Sequence, residues 1–114
     1  MERREAVAAL AALAQDNRLD VFRLLVQAGP AGMPAGAVAE TLDLAPNTLT
    51  FHFDKLRMAG LVSARREGRS IIYAAQFEQM NALVAFLNEN CCDGAPYTPA
   101  AACKPARKRP KVPA

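Results

Sequence analysis

Three cysteines, Cys91, Cys92 and Cys103, are the side chains of this 114-residue sequence best suited to covalent or metal chemistry. Two are adjacent. The third follows after ten residues that include Pro96 and Pro99, a spacing at which closing the loop costs little more than at half the length. Thiolate sulfur favours soft ions. A trivalent centre with a lone pair takes three such ligands in a pyramid, whereas tetrahedral zinc or cadmium would be one ligand short. Adjacent cysteines on a regular helix diverge by about 100°, so the pair converges better at a frayed helix end, which Asp93-Gly94 supplies. Other roles stay open: Cys91 or Cys92 as a small buried hydrophobe, or the pair as a vicinal disulfide or oxidation sensor. Cys103 lies beyond any segment that reads as core.

A second group of candidates is polar and basic. Arg65, Arg66 and Arg69 surround Gly68, and Asn47, Thr48, Thr50, Phe51, His52 and Lys55 crowd one short stretch. Arginines at a tight turn suit a minor groove or its phosphates, or form an ordinary solvated turn. Short polar side chains near a helix start reach base edges or phosphates. Phe51 either touches a thymine methyl or packs. His52, the single histidine, is a DNA-facing or a packing residue. A thiol-dependent enzyme is disfavoured: the chain has no CxxC, no Cys/His pairing within sequence range, no phosphate loop and no obvious carboxylate pair.

These groups need a scaffold, and the pattern supplies one. Glu2 to about Gln15 reads as an Ala-rich amphipathic helix with Val7, Leu10, Leu13 and Ala14 on one face. Asp16 or Asn17 can cap a second helix whose inward stripe is Leu19, Phe22, Leu25 and Val26; Gly29-Pro30 stops it. Pro34 suits the first turn of a third helix carrying Val38 and Leu42 inward. Asp43 to Pro46 is a tight turn. A fourth helix runs from Pro46 to Met58 with Leu49, Phe53 and Leu56 at core spacing, ended by Gly60. The period then changes: β-branched residues flank Glu67-Gly68, a hairpin signal. Gln76 to about Asn90 returns to helical spacing, with Phe77, Met80, Leu83 or Val84, and Leu87 as its apolar stripe, which should lie in a dimer interface.

The predicted order is α-α-α-α-β-β-α, mainly α with one β-hairpin. A helix–turn–helix followed at once by a two-stranded ribbon is a winged helix–turn–helix, whose second helix enters the major groove in DNA-binding versions. Residues 1–92 form this domain. Residues 93–114 form a Cys-containing, Pro/Ala-rich basic tail that reads as disordered from Pro105 onward.

Composition agrees with one small domain, 52% hydrophobic and 22% charged, and burial in a dimer would help a core of this size. The net charge of +3 is concentrated: five basic residues and no acid follow Cys103, leaving the rest slightly acidic. DNA contact must therefore come from local clusters and the tail, which adds phosphate attraction and salt dependence. The run "AVAALAALA" imitates a signal peptide, but Glu2 and Glu5 spoil its positive flank and it is too short for a bilayer. The expected setting is cytoplasmic, with no membrane partner and reduced thiols.

The stretches "LAQDNRLDVFRLL", "VAETLDLAPNTLTFHFDKLRMAGLV" and "RREGRSIIYAA" resemble, in order and spacing, bacterial metal- and metalloid-responsive repressors of the arsenic-repressor (ArsR/SmtB) type. The resemblance covers residues 13–90. It implies a homodimer built on the first and last helices, operator DNA as partner, and ligand-driven release. Two of the family's ligand sites are missing. "MPAGAVAETLDL" has no cysteine where one branch carries a cluster, and "QFEQMNALVAFLNEN" has no histidine where another binds zinc. What remains resembles a third branch, arsenite sensors with a vicinal cysteine pair ending the last helix and a third cysteine in the tail. That resemblance implies trivalent arsenic as inducer, with antimony or a methylated arsenical as variants, no required cofactor, and Cys91, Cys92 and Cys103 as ligands. The alternatives are a repressor that senses thiol oxidation, zinc or cadmium, and a ligand-independent winged helix that only joins partners.

Overall fold

The computed structural model describes residues 1–94. Five helices surround a small antiparallel sheet: α1 (Arg3–Leu13), α2 (Asp16–Ala28), β1 (Met33–Pro34), α3 (Ala35–Leu42), α4 (Pro46–Met58), β2 (Val62–Glu67), β3 (Ser70–Ala75) and α5 (Phe77–Leu87), followed by a 3-10 turn, Cys91–Gly94. No helix among the described residues is long and apolar enough to cross a membrane. Most of the predicted tail, with Cys103, lies outside the described residues.

The core gathers Val21, Phe22 and Leu25 of α2, Val38 of α3, Leu49, Phe53 and Leu56 of α4, Leu61, Val62 and Leu83. The α4 stripe is the expected one, because Pro46 at the first helical position and the turn at Ala59-Gly60 bracket an unambiguous period. Phe53 also stacks on Tyr73 of β3, ring centroids 3.5 Å apart. This contact ties the DNA-reading helix of the predicted motif to the hairpin.

Apolar residues divide between core and surface on α1 and α5, and on α2 two expectations need correction. The buried face of α1 is Ala6, Ala9 and Ala12, while Val7 and Leu10 are 59% and 43% exposed. Methyl-sized side chains let α1 lie close against α2 and α4, so the larger residues turn outward. On α5 Leu83 is buried, while Val84 and Leu87 are 51% and 60% exposed in the single chain. On α2 the cap is neither Asp16 nor Asn17 but Gln15, whose side chain accepts from the Arg18 amide at 2.9 Å; Val21 points inward in place of Leu19.

The hairpin has a third strand that the sequence pattern did not show. β3 pairs with β2 from Val62↔Ala75 to Glu67↔Ser70, and with β1 through Met33↔Tyr73 and Pro34↔Ile72. The entry to β1 requires glycine. Gly32 has φ +76, and a Cβ there would collide with the backbone carbonyl of Tyr73. Gly32→Ala therefore combines a left-handed non-glycine residue with a clash that no side-chain rotation relieves. It should cost about 2–4 kcal/mol and lower Tm by at least about 10 °C, read by thermal unfolding.

Candidate nucleic-acid interface and cysteine site

The turn into α4 is shaped by Asp43, which ends α3 in the left-handed region (φ 54) with its amide on the Ala39 and Glu40 carbonyls. The Leu44 amide also bonds the Ala39 carbonyl, at 3.0 Å. Three residues thus join α3 to α4. With Leu49, Phe53 and Leu56 buried, the opposite face of α4 presents Asn47, Thr48, Thr50, Phe51 and Lys55 to solvent. The Thr50 hydroxyl donates to the Pro46 carbonyl at 3.0 Å, and the Lys55 ammonium sits 5.2 Å from the centre of the Phe51 ring.

His52 does not belong to this face. It is 5% exposed, and neither ring nitrogen has a hydrogen-bond partner among the described residues. The position is an inward one of α4, so His52 packs and does not reach DNA. Burial, and then the nearby Arg18 guanidinium, lower its pKa below the ordinary value. The native state therefore disfavours the protonated ring. Below about pH 6.5 the unfolded chain takes a proton the native chain resists. This contribution to stability is complete above that pH and erodes as pH falls through the lower native value. Tm should drop more steeply between pH 7.5 and 5 in the parent than in a His52→Leu variant.

In the wing, Arg65, Arg66 and Arg69 are all exposed, but they are not equivalent. Arg65 Nε bonds Glu67 at 2.9 Å, and its terminal nitrogen bonds the Ala31 carbonyl at 2.9 Å. Arg65 is thus braced against the segment before β1. Arg66 and Arg69 make no hydrogen bond or ion pair among the described residues, which leaves their guanidinium groups available to phosphates. Ile71, paired with Arg66 and 40% exposed, extends the same wing face. From sequence alone an isoleucine in a strand reads as core.

At the other end of the chain α5 stops at Leu87. Asn90 (φ 61) and Cys92 (φ 53) then turn the backbone out of helical geometry, so the two cysteines occupy a tight turn. Both are free thiols, Cys91 half-buried and Cys92 exposed. Burial, then hydrogen bonding and charge from Cys92, push the Cys91 thiol up. Among the described residues no group of three His, Cys, Asp or Glu side chains converges as a metal site. Cys91 and Cys92 are neighbours in this turn; Cys103 lies outside the described residues.

A helix–turn–helix domain model matches residues 13–64. The HTH-type transcriptional regulator YgaV of Escherichia coli (strain K12) is 28% identical over 88 residues, covering 77% of this chain and 87% of that protein. The transcriptional activator HlyU of Vibrio cholerae is 27% identical over 88 residues, covering 77% and 79%. Among solved structures, an ArsR-like transcriptional regulator from Rhodococcus sp. RHA1 superposes with a TM-score of 0.69 at 26% identity, covering 79% of this chain and 82% of that one. A homodimeric winged helix–turn–helix DNA-binding domain from Mycobacterium bovis, a possible ArsR-family regulator, gives 0.61 at 26% identity, covering 83% and 88%. With the turn between α3 and α4, the exposed polar face of α4 and the arginine wing, the chain has the winged helix–turn–helix fold and is similar to DNA-binding transcriptional regulators of the ArsR type.

Proposed function

We propose that the protein is a homodimeric repressor that releases promoter DNA when Cys91, Cys92 and Cys103 bind trivalent arsenic, with antimony as the next candidate ion. The observation that carries this reading is the Cys91–Gly94 turn, which holds two free thiols side by side at the end of α5. Asn47, Thr48, Thr50, Phe51 and Lys55 would face the major groove, Arg66 and Arg69 the phosphates beside it, and Arg65 would hold the wing in place.

The chemistry of the pair favours a hydroxylated trivalent metalloid over its rivals. Arsenous acid exchanges each hydroxyl for a sulfur, and each thiol proton leaves in the water formed. No net proton is expelled, so a raised thiol pKa is no handicap. Zinc or cadmium must displace the proton itself. An oxidation sensor works through a low-pKa thiolate, which the upward shift makes Cys91 unsuited to supply. Antimonous acid balances in the same way as arsenous acid.

The last helix links ligand to DNA. α5 packs on α1, and both helices expose the apolar residues that would form the dimer face. Fixing the end of α5 would change the angle between the two DNA-reading heads. A coupling of about 1–3 kcal/mol, typical of allosteric proteins, alters DNA affinity from several-fold to over a hundredfold. The ligand must prefer the DNA-incompetent arrangement. The test is a titration of the reduced protein on DNA from upstream of its own gene. Arsenite should release the DNA and zinc should not; retention of the DNA at saturating arsenite sinks the proposal.

A further inference from the structure

Phe51 is an apolar residue where a DNA-reading face needs polar ones. Its ring is 54% exposed. The core side of α4 is already filled by Leu49, Phe53 and Leu56, so packing within the chain does not explain it. The aromatic and cationic groups at the ring are its helix neighbours, His52 edge-on at 5.8 Å and the Lys55 ammonium at 5.2 Å.

Asn47, Phe51 and Lys55 are spaced four apart and so form one ridge of the helix. The ridge reads amide, ring, ammonium. A carboxamide pairs with an adenine edge and an ammonium with a phosphate. A phenyl ring offers neither donor nor acceptor. In the major groove of unmodified DNA the apolar feature is the C5-methyl group of thymine. Thr50 strengthens the pattern, because its hydroxyl proton is committed to the Pro46 carbonyl.

Resting on the assignment of α4 as the DNA-reading helix, we infer that Phe51 selects operator sequence by covering a thymine methyl in the major groove. Lys55 lies over the ring and limits its freedom while serving the phosphate alongside. Lys55 at the ring suits a polyanion rather than a second protein copy as the cover.

The experiment replaces each thymine of the promoter half-sites in turn by deoxyuridine, which removes only the methyl group. The full-length reduced protein should lose about fourfold in affinity at one thymine per half-site, the value of one buried methyl, and more when both half-sites are changed. Phe51→Ala should bind more weakly and no longer distinguish thymine from uracil at that position, with Tm unchanged because the ring is exposed. Phe51→Leu should retain part of the preference. If the parent binds every uracil-substituted DNA as it binds the original, or if Phe51→Ala keeps the preference, the inference is wrong. Failure of the parent to bind any promoter DNA would instead overturn the assignment of α4.

Discussion

Cys91→Ser and Cys92→Ser should each bind promoter DNA as tightly as the parent and fail to release it at arsenite concentrations that clear the parent. The reasoning starts from chelation. Once one sulfur is bound, the neighbouring sulfur on the same tight turn is presented at high effective concentration. Removing either arm forfeits that advantage, worth about 10²–10⁴ in affinity for linked contacts. The midpoint for DNA release should therefore rise at least about a hundredfold. DNA affinity should hold because Cys91 and Cys92 follow α5 and belong to neither α4 nor the β2–β3 wing. Serine keeps the size of the side chain, and Cys92 is exposed, so the fold should survive. Cys103→Ser separates two versions of the site. A trivalent centre with three exchangeable positions needs the third sulfur, whereas a singly methylated arsenical needs two. The variant should lose the arsenite response and keep the methylarsenite response. Parental arsenite release by both Cys91→Ser and Cys92→Ser would end the metalloid proposal, whatever the DNA-binding result.

The parts legible in the sequence were those where one physical signal had no competitor. Pro46 and Gly60 bracket an apolar stripe of unmistakable period, so α4 appeared with its true limits. Gly68 between β-branched runs fixed the hairpin. Faces were harder. On α1 the larger apolar residues look inward by hydropathy, yet the core accepts Ala6, Ala9 and Ala12 because close helix packing excludes anything larger. The same rule of thumb misplaced Leu19 on α2. β1 escaped notice because it has two residues, one of them proline, and exists only through pairing with β3. His52 was ambiguous by type: a polar ring on an inward position has no sequence signature. The arginines of the wing were legible as a cluster. Their division into a braced Arg65 and, among the described residues, an unpaired Arg66 and Arg69 depends on the Ala31 carbonyl, 34 residues away in sequence. The cysteine pair could be recognised from residue type alone, but its turn geometry could not, because positive φ at Asn90 and Cys92 is a tertiary outcome.

The exposed apolar faces lead to the second large effect. Val7 and Leu10 on α1, and Val84 and Leu87 on α5, are exposed on two helices that pack on each other. Side chains of this kind, repeated on adjacent helices, are what a homodimer built on the first and last helices would bury. A Val7→Glu/Val84→Glu double variant would place two carboxylates per chain in that face. An ionised carboxylate without a partner cannot be buried at acceptable cost, so sedimentation should report a monomer where the parent is a dimer. The monomer should remain folded, with its helical signal intact, since neither position contributes to the core of one chain. Promoter affinity should fall about a hundredfold or more, because the second DNA-reading head is no longer delivered at high effective concentration. The monomer's weak residual DNA binding should also ignore arsenite, even though Cys91 and Cys92 are untouched. If the turn at the end of α5 acts by changing how two heads are set against each other, a single head has nothing to be set against. A variant that stays dimeric with parental affinity would remove this face from the interface. A folded monomer that still answers to arsenite would show that the signal passes within one chain.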